Sequence, residues 1–402
     1  MNIFTKKYFI VLFILPFIGI NVINDNILLS SASKMIVSII GYLMLFENFN
    51  YNKNILNIKL ILLVMLYSFI ILFSAVINNN ITIGMIYTNF VYIGFIIYIN
   101  YCMKDFKNFI NALNILFTLL IIYNLILAIF VQSSYMYIGY QGSQKVFVGT
   151  FESRNGISMV MIPAIAFILI RSEYIYEKVR NKDILLCFMV LIIILLSKSS
   201  TGFIVGSLLV IYVLLLKKIK IKINININKL MSIYTIIYTQ VVIFRIQETV
   251  FRGFIENILQ KNVTLTGRTL IWDFIMKIIP NSLIFGYGRN DIIAQNAIIR
   301  DVTEAHNGLL EILLCTGIIG LFVFILILLN AFRALNKSNS KISYILSMAI
   351  FLYFCIALTE SAFTYTKIGF WILIIISSNI EKIIKQKDNL EYQIWKNYKI
   401  GD

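Results

Sequence analysis

The feature that most limits this chain is a series of apolar runs, each close to the thickness of a membrane, repeated from one end to the other. A helix needs roughly 20 mostly apolar residues to cross the hydrocarbon core of a bilayer. Runs near 7–24, 31–47, 59–77, 81–100, 109–131, 155–170, 184–198, 201–216, 230–246, 308–330, 342–358 and 366–380 meet or approach that length. No hydrophilic stretch between them is long enough for a separate soluble domain, so 1–402 reads as a single integral membrane domain. Without water, backbone polar groups must be satisfied within the segment, which makes runs of this length helices. The expected fold is all-α, a polytopic bundle of about twelve spans. Only the pair 184–216 admits two arrangements: two spans joined by a tight turn at Ser197 to Thr201, or one span followed by a re-entrant piece. The first run follows Lys6 and Lys7 like a signal peptide, but it lacks a small-residue cleavage site and reads as a retained helix.

Composition supports the same solvent. Apolar residues make up 59% of 402 positions and charged residues 13%, too little polar surface to cover a water-soluble core of this size. The formal charge of +16 is not a nucleic-acid signature, because the basic residues sit in short clusters between apolar runs. With the N-terminus inside, the cytoplasmic segments collect 23 of the 35 Lys and Arg, as the positive-inside rule requires. Both termini are then cytoplasmic, and one long polar loop, 247–307, lies outside. The four cysteines (Cys102, Cys187, Cys315, Cys355) lie in or beside apolar runs without CxxC spacing and read as small core residues. A single His excludes a metal site built on several imidazoles. Heavy use of Ile, Asn and Lys even in loops is what an AT-rich bacterial genome would produce.

Two outer segments hold the polar chemistry. Gln132 to Arg154 is rich in Tyr, Gly and Gln. In 247–307, Val250, Phe251, Phe254, Ile255, Ile258 and Leu259 repeat at helical spacing opposite Glu248, Arg252, Glu256 and Lys261, which predicts a surface-lying amphipathic helix. A second is predicted from Leu270, Ile271, Phe274, Ile275, Ile278 and Ile279, with Asp273 and Lys277 paired at i,i+4 and Pro280 ending it. His306 stands where the outer loop enters the next helix, beside Glu304, and imidazole is the side chain best suited to take a proton near neutral pH. Arg154, Lys198, Arg245, Arg252, Arg268, Arg289 and Arg300 fall on the same side. Any one of them serves as well for headgroup contact, whereas a cluster facing one pocket would suit a pyrophosphate. Neither a Walker nor a dinucleotide fingerprint occurs, and no DxD pair is present to hold a metal-bound sugar nucleotide. No cofactor and no metal are expected.

The order Gly267-Arg268-x-x-x-Trp272, Pro280, Gly286-x-Gly288, His306-Asn307-x-x-Leu310 and Gly317-x-x-Gly320 resembles the O-antigen polymerase and ligase family, which includes capsular polysaccharide polymerases. The motifs cover about 267–320; elsewhere the likeness is in the span pattern and the late outer loop. The resemblance implies a GT-C-like membrane glycosyltransferase, inverting and metal-independent, at the outer face of a bacterial cytoplasmic membrane. Its donor would be a glycan on undecaprenyl pyrophosphate, its acceptor a second lipid-linked oligosaccharide repeat unit, with membrane lipids and further polysaccharide-assembly proteins as partners. On this resemblance His306 is the catalytic base or acceptor-orienting group, and Arg268 holds the donor pyrophosphate. Gly267, Trp272, Gly286, Gly288 and Asn307 carry the motif. A second family Arg sits in a Ser-Arg-x-Gly-like turn, where this chain has Ser197-Lys198-Ser199-Ser200-Thr201-Gly202, leaving Lys198 or Arg154 as substitutes. Arg289 and Glu360 are further candidates for substrate binding and positioning.

Pyrophosphate is already an activated leaving group and needs mainly positive charge as its bond breaks. A polymerase of lipid-linked repeat units is therefore the expected function. A ligase that moves finished glycan to another acceptor has the same signature. A lipid-linked glycan flippase would spread its charges along a central path with repeat symmetry, and a membrane scaffold would leave the outer Arg and His without a role. The topology is directly testable: reporters fused after residue 225 or in the C-terminal tail should stay cytoplasmic, and one at residue 290 should lie outside. A cytoplasmic signal at 290 overturns the orientation.

Overall fold

A computed structural model describes residues 2–19, 27–50, 56–138, 144–151, 153–218, 226–250, 252–253, 264–265, 267–288 and 304–389. The helices are α1 (Lys7–Ile14), α2 (Ile27–Asn50), α3 (Ile58–Ile77), α4 (Ile83–Cys102), α5 (Phe106–Phe130), α6 (Gly156–Tyr176), α7 (Asn181–Leu196), α8 (Ser200–Lys218), α9 (Ile227–Tyr238), α10 (Arg268–Ile278), α11 (Gly308–Ser338), α12 (Lys341–Ala357) and α13 (Ile368–Ser378). Their starts follow local chemistry. Asn57 accepts from the Leu60 amide ahead of α3, Asp105 from the Asn108 amide ahead of α5, and Ser340 and Ser343 cap α12 reciprocally.

Helices apolar all round lie at the centre. Every residue of α13 from Ile368 to Ser377 is buried, as is most of α6 and α12, and these three pack on one another. The peripheral helices turn apolar stripes outward instead. Leu62, Leu66, Phe69 and Phe73 on α3, Leu119, Ile122, Ile126 and Ile129 on α5, and Ile318, Phe322, Ile325 and Leu329 on α11 are all exposed at i, i+3, i+4 and i+7 spacing. Water would penalise so much contiguous apolar surface; a bilayer does not. The chain is thus a multi-pass helical membrane protein.

The expected twelve spans are not matched one for one. Among the described residues six stretches are long and apolar enough to cross a membrane: Leu28–Asn50, Ile58–Ile77, Ile83–Phe130 (α4 and α5 end to end), Gly156–Tyr176, Ser200–Lys217 and Gly308–Ser338. Lys7–Phe17, Ile227–Ile243, Lys341–Ala357 and Ile368–Ser378 are apolar but shorter. The last two are enclosed by protein, so bilayer thickness does not set their length. The region 184–216 forms two helices joined by a tight turn after Leu196, of which only the second, Ser200–Lys217, is among the six stretches. One departure from an all-α fold is a hairpin in the segment after α5. There β1 (Tyr135–Ile138) pairs antiparallel with β2 (Gln144–Phe147), and Lys145 lies 4.5 Å over the Tyr135 ring. Most of the first predicted amphipathic helix, together with Arg289 and Arg300, lies outside the described residues. The second is present as α10, closed by a turn containing Pro280, with Ile271, Trp272 and Ile275 buried and Leu270 exposed.

Two of the sequence's glycine motifs meet in space. α11 is interrupted at Gly317, whose φ of 62° and ψ of −164° belong to a region that only glycine occupies readily. An unbroken helix would pair Ile318 and Ile319 amides with Leu314 and Cys315 carbonyls. Instead Tyr287 and Gly288 amides donate to those carbonyls at 2.8 and 2.9 Å, while Ile318 and Ile319 donate to Leu283 and Ile284 at 2.9 and 3.3 Å. Asn78 and Asn80, following α3, clamp the Gly286 and Tyr287 carbonyls at 2.9 and 2.7 Å. A Cβ at Gly317 would stand 2.3 Å from the Ile284 carbonyl oxygen, whereas one at Gly267, also at positive φ, would meet nothing within 4 Å. Gly317→Ala should therefore lower stability by about 3 kcal/mol or more, and Gly267→Ala by only about 1–2 kcal/mol. Thermal melts of the detergent-solubilised variants test this; equal melting temperatures would contradict the docking of 283–288 into the break.

Candidate functional site

Arg268 opens α10 immediately after Gly267, which takes φ 84° and donates its amide to Thr264 Oγ1 at 3.1 Å. Four residues on, Trp272 lies on the same helix face. Its ring is fully buried, and its Nε1 donates to the Ala305 carbonyl at 3.1 Å. The motif spacing thus ties α10 to the backbone next to His306. Arg268 reaches across to Glu360, which follows α12, and donates from Nη2 to the carboxylate Oε1. Both side chains are largely buried. Burial lowers the Arg268 pKa from its ordinary value, the Glu360 charge raises it, and the nearby Arg154 charge lowers it further. An arginine keeps its charge through such shifts. Arg154 itself is half-buried, and among the described residues no carboxylate pairs with it.

His306 is fixed on both sides. Before it, the Ala305 amide donates to Glu311 Oε2 at 2.7 Å, and the same oxygen accepts from Ser361 Oγ at 3.1 Å. After it, buried Asn307 caps α11 by accepting from the Leu309 and Leu310 amides at 3.2 and 3.0 Å, and it donates to the Leu358 carbonyl at 3.1 Å. Tyr238 at the end of α9 donates to Asn307 Oδ1 at 3.4 Å. Between these anchors His306 takes φ 47°, a left-handed conformation costing a non-glycine residue roughly 1–2 kcal/mol. Its Nδ1 is buried 3.8 Å from Glu360 Oε2, while about a third of the side chain (34%) stays exposed. One carboxylate thus faces a guanidinium with one oxygen and an imidazole with the other.

The structure brings Arg268, Glu360 and His306 into contact and places the charge of Arg154 beside them. Lys198 stands apart, exposed at φ 52° on the turn between α7 and α8. The start of α8 does reach the site, because Thr201 Oγ1 lies 3.1 Å from Thr359 Oγ1, one residue before Glu360. Gly286, Gly288 and Gly317 act through the broken helix, and Asn307 through its cap. Arg289 lies outside the described residues. The expected Asp273–Lys277 pair is replaced: Arg245, at φ 53° after a π-helical turn, takes Asp273 at 2.7 Å and lies 5.3 Å over Trp272. An arginine fork with an aromatic face beside it outcompetes a lysine on the same exposed helix face. Glu311 was not singled out by motif, although a carboxylate inside an apolar run is a signal in itself.

Arg268, the Glu360 carboxylate and the nearby Arg154 charge stand beside a partly exposed imidazole, with the Glu311 carboxylate behind the turn. The cluster suits an anionic ligand and a proton transfer in the same place.

No curated protein sequence matches the chain significantly. Residues 185–325 match the family model described as O-antigen ligase. The matched stretch runs from within α7 into α11 and contains Lys198, Arg268, Trp272, Gly286, Gly288, His306, Asn307 and Glu311, whereas Arg154 and Glu360 lie outside it. Over that stretch, about a third of its length, the chain is similar to the O-antigen ligase family.

Proposed function

We propose that this protein is a polymerase that joins lipid-linked oligosaccharide repeat units into a capsular or O-antigen-type polysaccharide. The observation that carries the reading is the single carboxylate, Glu360, held between Arg268 and His306. The donor is a glycan on undecaprenyl pyrophosphate, and the acceptor is a hydroxyl of a second lipid-linked unit. The acceptor oxygen attacks the anomeric carbon from the face opposite the pyrophosphate, so the configuration inverts. The bond to pyrophosphate breaks, and polyprenyl pyrophosphate leaves with its electron pair. Arg268 and Arg154 stabilise the charge that develops there. The acceptor proton goes to His306. Because Nδ1 is turned to Glu360, Nε2 is the nitrogen offered to substrate, and the carboxylate steadies the imidazolium that forms.

Two lipid anchors in one bilayer supply much of the required proximity. The active face is extracytoplasmic and both termini are cytoplasmic, as the distribution of basic residues implies, and the membrane is a bacterial cytoplasmic one, as the family resemblance implies. The loop 247–307 and the rest of the chain act as one integral domain. A ligase uses the same cluster with a different acceptor. Glycan chain length in cells lacking the protein separates the two: single repeat units mark a polymerase, and unattached long chains mark a ligase.

Arg268→Ala should abolish polymer at normal protein levels, and Arg268→Lys should retain part of it because charge survives without the fork. Wild-type polymer from Arg268→Ala protein would reduce this residue to a headgroup contact. His306→Ala should still bind lipid-linked donor but transfer it about 10²–10⁴-fold more slowly; His306→Gln should fail as well, since an amide accepts no proton. Full turnover by a well-folded His306→Ala protein excludes the base. Turnover of purified protein on a lipid-linked glycan should also persist in excess EDTA, because the sequence offers one His and no DxD pair.

A further inference from the structure

The proposed proton transfer depends on a distance that the two side chains involved do not themselves fix. His306 Nδ1 stands 3.8 Å from Glu360 Oε2, beyond hydrogen-bond reach. Among the described residues this buried nitrogen has no hydrogen-bond partner. A carboxylate steadies a forming imidazolium by an attraction that falls with separation. The spacing of the pair must therefore be set by what holds the chain on either side of it.

Glu311 is placed to do this. It is buried one turn into α11, and its Oε2 accepts from two donors at once, the Ala305 amide at 2.7 Å and Ser361 Oγ at 3.1 Å. Ala305 precedes His306 and Ser361 follows Glu360, so a single oxygen spans the two residues next to the pair. Both Ala305 and Ser361 are buried as well. Asn307 makes a parallel tie on the other side of His306, donating to the Leu358 carbonyl at 3.1 Å. Gly308 lets the two segments come this close, since a Cβ there would stand 2.6 Å from the Phe363 ring and 3.1 Å from Ala357 Cβ. An apolar residue at 311 would fill the same interior without the cost of burying a carboxylate. The helix dipole favours an acid in the first turn of α11, but that effect requires no contact with Ala305 or Ser361.

We infer that Glu311 is a positioning residue for the transfer step: with Ser361 it sets the spacing between His306 and Glu360, and it acts on the acceptor proton only through them. The inference rests on the glycosyl-transfer reading above and deepens it. Glu311 touches neither substrate nor the reacting atoms, so its loss should slow the proton transfer and leave donor binding at Arg268 in place.

The test is a steady-state comparison of purified full-length variants in detergent, turning over a lipid-linked glycan. Glu311→Ala should lower kcat on the order of 10²-fold, the effect of misplacing a reacting group by about 1 Å, with KM for the donor little changed. Glu311→Gln keeps an acceptor oxygen and should recover most of that loss. Ser361→Ala removes one of the two donors and should lower kcat about fivefold, the worth of a typical hydrogen bond; it decides the matter if Glu311→Ala yields no folded protein. On the residual turnover of His306→Ala protein, adding Glu311→Ala should cost less than about twofold more, because a residue that acts through His306 then has nothing left to position. An equal loss in that background, a rise in KM with kcat intact, or a Glu311→Gln protein as slow as Glu311→Ala overturns the positioning role. Wild-type kcat in folded Ser361→Ala protein does the same. Full turnover by His306→Ala protein would instead sink the reading on which the inference rests, whereas slow His306→Ala beside normal Glu311→Ala sinks the inference alone.

Discussion

Hydrocarbon supplies no water to pair with a peptide group, so every backbone amide and carbonyl released from a helix must be taken up by protein. The break in α11 at Gly317 illustrates how this constraint shapes the molecule. It releases two carbonyls and two amides, and the segment 283–288 supplies the matching two amides and two carbonyls. The asparagines after α3 then hold the far side of that segment. An interruption that would be costly in isolation becomes a docking point joining α3, α11 and the chain that follows α10.

The site inherits its rigidity from this arrangement. α10 leads directly into the docked segment, and its Trp272 fastens the Ala305 carbonyl while Glu311, one turn into α11, fastens the Ala305 amide. His306 is therefore held in a strained backbone conformation by neighbours on both sides. Such strain persists where surrounding contacts over-determine it, and it accords with a positioned reactive group.

Electrostatics distributes the tasks. Glu360 is buried, and Arg268 is its immediate counter-ion. Because the other carboxylate oxygen faces His306, the pair also sets the direction of the imidazole. The Arg154 charge lies near the pair and bears on Arg268. Loss of any member alters the others, so single substitutions in this group should not behave additively.

Much of this was legible along the chain. The apolar runs determined a helical membrane protein because bilayer thickness and backbone hydrogen bonding leave few alternatives. The Arg268–Trp272 spacing placed both residues on one helix face, and Gly286, Gly288 and Gly317 marked positions where side chains could not fit. The span count was not legible in the same way. Helices such as α13 are enclosed by protein, and an apolar run looks the same whether lipid or protein surrounds it. Asp273 was equally ambiguous, since its local partner Lys277 was visible in sequence and its actual partner Arg245 was 28 residues away. Tertiary structure alone decided that Glu360, 92 residues after Arg268, faces both Arg268 and His306, and that Glu311 holds the turn between them. Those contacts depend on how separate helices pack, and pairings across such distances leave no periodicity in a single sequence.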